Sequence, residues 1–167
     1  VEWISYANSN SNGSFSYYLD RATFRSAVST YGTACQTSGG RTPKLTSSAT
    51  KINSPWRLSF SGGTSNAAAA ILVGVQPHDP GVSLGSIGAP GCSLSVNPLF
   101  MLSVTTNSSG GNSCSFPVPN DRGIVGGALY SQMLVNDIFA NNLGWVTSNG
   151  DKMTLGIDPL CSVVVAQ

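Results

Sequence analysis

The sequence predicts an all-β protein folded as a two-sheet β-sandwich, Ig-like or jelly-roll-like. Short apolar runs separated by clusters of Gly, Pro, Asn and Ser recur along the whole chain, the punctuation of many strands and tight turns. Residues 56–61, Trp-Arg-Leu-Ser-Phe-Ser, alternate strictly between apolar and polar, as a half-buried strand does. About nine to eleven strands are expected, too many for one open sheet in so short a chain, so two packed sheets follow.

Each element has its own signal. Residues 20–31 read equally as helix or strand. Asp20 is a capping residue type, Phe24, Ala27, Val28 and Tyr31 fall at helical spacing, and Gly32 would stop a helix. Ala22, Phe24 and Val28 also fit a period of two, and Thr23, Val28 and Thr30 favour a strand. The strand at 56–61 ends at Gly62-Gly63. Residues 67–75 form an apolar run with too little alternation to be one-sided, which reads as a central strand. The remaining strands are expected at 94–96, 99–105, 113–118, 128–136, 144–147, 153–157 and 161–165.

The surface is almost neutral. Of 167 residues only 15 carry a formal charge, one is a histidine, and 70 are Ser, Thr, Asn or Gly, against roughly one quarter charged in an ordinary domain. The length suits one domain. Net charge is +1 and the eight basic residues stand singly, so no electrostatic footprint for nucleic acid exists. The longest apolar run is nine residues, about half the ~20 a bilayer-crossing helix needs, and no membrane insertion is expected. A neutral surface is cheap to cover, because it requires matched hydrogen bonds and no desolvated ions.

Residues 1–31 read as an aromatic-rich arm or edge strands, and residues 32–167 as the sandwich, with a C-terminal strand at 159–166. The arm holds Trp3, Tyr6, Phe15, Tyr17, Tyr18, Phe24 and Tyr31, half of the 14 aromatics, around a polar linker at 8–14. It either supplies edge strands to its own core or adds a strand to a neighbouring copy, since an exposed sheet edge accepts a strand in trans. The candidate self-assembly residues are Trp3, Ile4, Tyr6, Phe15, Tyr17, Tyr18 and Phe24.

Four cysteines, Cys35, Cys92, Cys114 and Cys161, make an even number without a CxxC pair. With His78 alone beside them, two disulfides are expected rather than a zinc site, in one of three connectivities. A first residue of Val1 suggests removal of a leader. Together with Asn-X-Ser at Asn12 and Asn107, these features point to an oxidising, extracellular or cell-surface location.

Candidate chemistry is thin. Residues 81–85, Gly-Val-Ser-Leu-Gly, match the GxSxG of hydrolase nucleophile elbows, with His78-Asp79 nearby. An elbow needs a strand before the serine and a helix after it. Pro77, Pro80 and Gly81 should break the strand, and Gly85, Gly88, Pro90 and Gly91 forbid the helix. The carboxylates Glu2, Asp20, Asp79, Asp121, Asp137, Asp151 and Asp158 mostly sit beside Pro, Asn or Gly, where aspartate shapes turns. Glycoside chemistry would need two of them to meet. Asp137 and Asp151 are legitimate calcium ligands but form no loop motif. For sugar binding, Trp145 with Asn141, Asn142 and Asn149 is the candidate set, an aromatic platform with neutral hydrogen-bonding groups. The bland alternative is that Trp56 and Trp145 anchor the core. No motif calls for a cofactor or a metal.

Several blocks carry a resemblance. They are Tyr-Gly-Thr-Ala-Cys at 31–35 with Ser-Gly-Gly at 38–40 and Pro-Lys-Leu at 43–45, then 53–62, 70–74 and 84–94. Pro-Val-Pro-Asn at 117–120, Gly-Gly-Ala-Leu-Tyr-Ser-Gln at 126–132 and Asn-Asn-Leu-Gly-Trp-Val-Thr-Ser-Asn-Gly at 141–150 complete the set. Over residues 31–157 the chain resembles an uncharacterised secreted β-domain of large extracellular proteins of planctomycetes and similar bacteria. The resemblance implies secretion and a pairing of Cys35 with Cys92, which leaves Cys114 with Cys161; it implies no activity. The expectation is therefore a non-catalytic structural subunit of an extracellular filament, sheath or surface layer. Its partners would be other copies of itself, joined through terminal segments by strand addition in trans. The alternative is a monomeric secreted module that binds polysaccharide or adheres.

Overall fold

The structure, a computed structural model, describes residues 24–157. It contains ten strands: β1 Ala27–Tyr31, β2 Lys44–Ser47, β3 Trp56–Ser61, β4 Ala68–Gly74, β5 Gln76–Ser83, β6 Ser93–Asn97, β7 Phe100–Thr105, β8 Asn112–Phe116, β9 Ala128–Asn136 and β10 Trp145–Thr154. Two short 3-10 turns, Gly85–Ile87 and Arg122–Ile124, are the only helical elements among the described residues.

Every strand pairing is antiparallel. A five-stranded sheet has the order β1-β10-β9-β4-β7, a three-stranded sheet the order β2-β3-β8, and β5-β6 form a separate ribbon. The alternation at β3 does what its pattern demands: Trp56, Leu58 and Phe60 are buried while Arg57, Ser59 and Ser61 are exposed. Those three side chains meet Ile71 and Val73 of β4, Met133 and Val135 of β9, and Val146 and Met153 of β10 in one core cluster. Two sheets thus enclose an apolar layer, a sandwich-like arrangement. The unalternating β4 is buried from Ala69 to Gly74: Ala69, Ile71 and Val73 face the core, and the ribbon closes over the Gly74 end of the other face, where Asn97 packs against the backbone.

Three expectations change. The ambiguous stretch before Gly32 is a strand over Ala27–Tyr31, and as the outermost strand beside β10 it joins its own sheet. Its neighbours 20–23 lie outside the described residues. The prolines of β5 do not prevent a strand. The ribbon loses register between Pro77 and Val82, and a two-stranded edge tolerates missing N–H donors. The strands expected at 144–147 and 153–157 are one strand, β10, interrupted by a bulge between Thr147 and Gly150.

One disulfide is present among the described residues, Cys35 to Cys92, with Cα atoms 4.9 Å apart. It closes a sequence separation of 57, and constraining a loop of that size contributes about 4 kcal/mol in the chain-entropy view. The Cys35 N–H also donates to the Thr147 carbonyl at 3.0 Å. The link thus ties the turn before β6 to the edge of β10. Cys114 lies on β8, half-buried and without a disulfide partner among the described residues. Burial pushes its thiol above the usual range. Cys161 and the expected strand at 159–166 lie outside those residues.

Candidate functional site

The outer face of the five-stranded sheet, turned away from β3, is divided. Register places Tyr130, Gln132 and Leu134 of β9 on this face beside Lys152 and Gly150 of β10 and Leu72 and Ala70 of β4. One half lies under the ribbon. Gln132 is fully buried, and its amide has three partners. The Oε1 accepts from the Ser95 N–H at 2.8 Å, while Nε2 donates to the carbonyls of Ser93 at 2.9 Å and Ser148 at 2.8 Å. One side chain therefore stitches β6 to β9 and β10. Tyr31 adds a second stitch, its hydroxyl donating to the Ser95 carbonyl at 2.8 Å.

The Tyr31 ring lies directly over Gly150, where a built Cβ would sit 2.6 Å from Cζ. That position requires glycine. The ring also meets Tyr130 edge-on, with centroids 6.0 Å apart, and the Lys152 ammonium stands 5.8 Å from the Tyr130 centroid. Burial first, then Tyr130, Asp79 and Asp151, hold the Tyr31 phenol well above the usual tyrosine range.

The other half is bare. A groove of about 720 Å3 runs over it, with a floor of Ala68 and Ala70 and sides formed by Met101, Leu134, Leu143 and Trp145. Its outer border is β7, the last strand of the sheet. Leu99, Phe100 and Met101 are 69%, 51% and 63% exposed at the start of β7, and Ile138 and Phe139, 65% and 84% exposed, follow the end of β9 that is level with Val104 and Thr105 at the other end of β7. Thr106 donates to the Ala67 carbonyl, which fixes the phase of the antiparallel ladder. Even-numbered β7 residues bond β4, and the amides of Met101 and Ser103 point away from the sheet. Natural edge strands are protected by charge, proline, bulges or shortness. The β7 sequence Phe-Met-Leu-Ser-Val-Thr contains no charge, glycine or proline.

The sugar-binding candidates do not form one site. Trp145 lines the groove and Asn142 is exposed on the turn before it. Asn141 is committed: its Oδ1 accepts from Gly144 N–H and its Nδ2 donates to the Trp145 carbonyl. Asn149 reaches the opposite sheet from the bulge, accepting from Leu45 N–H at 3.0 Å and donating to its carbonyl at 2.9 Å.

Asp137 and Asp151 are both buried but do not meet: Asp137 lies just past the end of the β9-β10 pair where Trp145 faces Asn136, and Asp151 sits within the ladder opposite Ser131. Asp137 accepts from the Ser38 N–H and hydroxyl, the Thr64 hydroxyl and the Phe139 N–H. Burial raises its carboxyl, yet those bonds outweigh it and the net shift is downward. Asp151, the register partner of Ser131, has no hydrogen bond of good geometry to either oxygen. Burial pushes its carboxyl up, and Ser47 close by offsets this only in part. Among the described residues no three His, Cys, Asp or Glu side chains converge on a metal-binding position.

Ser83 ends β5 and is followed by a 3-10 turn, and its hydroxyl accepts from the Gly85 N–H at 3.2 Å. No hydrogen bond joins it to His78 among the described residues. Asn107 is exposed, with Oδ1 closing the turn between β7 and β8 through the Ser109 and Gly111 N–H groups. Phe24 is half exposed, 51%, and its carbonyl accepts from Ile157 N–H. Trp3, Ile4, Tyr6, Phe15, Tyr17 and Tyr18 lie outside the described residues.

Sequence reasoning missed Gln132 and the position of β7 at the edge. A lone glutamine inside an apolar strand was the available signal for the first; strand order has no local signal. No helix among the described residues is long and apolar enough to cross a membrane. No family model, curated protein or solved structure matches the chain.

Proposed function

We propose that this protein is a non-catalytic structural subunit that assembles with copies of itself outside the cell, in a filament, sheath or surface layer. One observation supports the reading above others: an unprotected, uncharged edge strand, β7, borders an apolar groove. An edge of this kind is a template for another chain, and a heterologous contact whose rotation does not close builds a fibre. The nearly neutral surface favours such contacts because few ions must be desolvated. The disulfide supports an oxidising compartment, in keeping with the resemblance to secreted β-domains.

The polysaccharide reading has one feature in its favour, Trp145 beside the groove. It loses weight because Asn141 and Asn149 spend their amides on backbone groups. Electron microscopy of the purified full-length chain tests the proposal. Filaments or sheets that vanish when residues 1–19 are deleted are expected; a full-length chain that stays monomeric while binding polysaccharide through Trp145 would overturn it.

A further inference from the structure

We infer that the bare groove is the acceptor site for residues 15–19 of a second copy, which add as a strand to the open edge of β7. The inference rests on the self-assembly reading above and gives that contact an address. Along β7, Met101, Ser103 and Thr105 face the groove at a spacing of two residues, and the outward amides of Met101 and Ser103 supply the backbone template. Residues 15–19 read Phe-Ser-Tyr-Tyr-Leu. Extended, they place Phe15, Tyr17 and Leu19 on one side at the same spacing. Neither partner carries a charge. The floor of Ala68 and Ala70 leaves depth for large side chains, and 720 Å3 lies within the ~300–1,000 Å3 of ordinary binding clefts.

Reach decides between the same copy and another. Phe24 is fixed by its bond to Ile157, three residues past Thr154, where the β1 ladder begins. Four residues lie between Leu19 and Phe24, and the five steps span at most ~18 Å. The β7 strand lies four strand spacings from β1, ~19 Å across the sheet. The near end of the groove at Met101 is level with Gln132, four residues along β9 from Ala128 and so ~13 Å farther. The diagonal of ~23 Å exceeds the tether, so Leu19 falls short of its own groove and can enter only that of a neighbour.

The test uses the full-length chain carrying Tyr17→Cys and Ser103→Cys, oxidised and run without reductant, with each single variant as control. A ladder of dimers, trimers and larger species from the double variant alone is expected. A cross-linked monomer overturns the inference by showing that the segment reaches its own groove. In parallel, Met101→Glu should raise the critical concentration for assembly at least about tenfold, equivalent to ~1.4 kcal/mol, with an unchanged melting temperature. Unchanged assembly of Met101→Glu without a ladder overturns the groove assignment and leaves self-assembly standing. A wild-type chain that never assembles overturns both.

Discussion

On its inner face the five-stranded sheet packs Ile71, Val73, Met133, Val135, Val146 and Met153 against the buried side of β3, whereas its outer face is covered only where Gln132 and Tyr31 hold the β5-β6 ribbon. The half between Met101 and Trp145 has no cover among the described residues. Inside, non-directional apolar burial supplies enough stabilisation that polar groups such as the Asp151 carboxylate, the Ser131 hydroxyl and the Trp56 indole N–H persist without good partners. Outside, the ribbon buries Val96 and is also held by the directional bonds of Gln132 and Tyr31, although the Ser95 hydroxyl beside them has no partner. The bare half has the apolar character of the inner face without an opposing layer, the condition of a surface that another chain covers.

The largest contrast is expected between Ile71 and Met101. Ile71→Ala should cost about 4 kcal/mol in denaturant unfolding, through lost burial plus a cavity, while Met101→Ala or Met101→Glu should change monomer stability by under ~0.5 kcal/mol. Similar losses at both positions would erase the distinction between closed and open faces. Next comes the stitch. Gln132→Leu preserves size but strands the Ser95 N–H and two carbonyls, and should cost about 3 kcal/mol, with faster amide exchange in β6 than in β3.

The smallest effect has the opposite sign. The folded-state value of Asp151 is raised above the ordinary ~3.9 by burial. Its stabilising contribution is therefore full below that ordinary value and is lost as pH rises through the raised one. Asp151→Asn removes the loss, so the variant should be more stable than the parent at pH 7 by on the order of 1 kcal/mol, with the gap closing toward pH 4. Equal stability across that range would mean that the carboxylate is satisfied in a way the geometry does not suggest. Asp137, with four hydrogen bonds and a lowered value, should contribute in the reverse sense, its stabilisation lost as pH falls.

The parts of this arrangement legible in the sequence are those set by local pattern. β3 shows because one face is wet and the other dry, and β4 because both of its faces are apolar, the inner one in the core and part of the outer one flooring the groove. β9 appears at 128–136 because its apolar residues are bounded by glycines and by the Asn141-Asn142 turn. β10 divides into two in the sequence because Ser148-Asn149-Gly150 resembles a turn; in the fold it is a bulge whose Asn149 amide replaces a missing ladder partner for Leu45. β5 is hidden by its prolines, which are tolerated only because the ribbon has an open side. The groove has no local signature at all. Ala70, Ser103, Leu134 and Trp145 come together through the order β10-β9-β4-β7, a property of pairing that no single segment carries.

Amide hydrogen exchange along β7 in monomeric and assembled protein tests the central claim most directly. In the monomer the outward amides of Met101 and Ser103 should exchange freely while the amide of Ile71 stays protected. In assembled material the same two amides should slow by at least about 100-fold, as a neighbouring strand takes up their hydrogen bonds. Exchange at Met101 and Ser103 as fast in the assembly as in the monomer, with Ile71 protected in both, would contradict an interface at this edge.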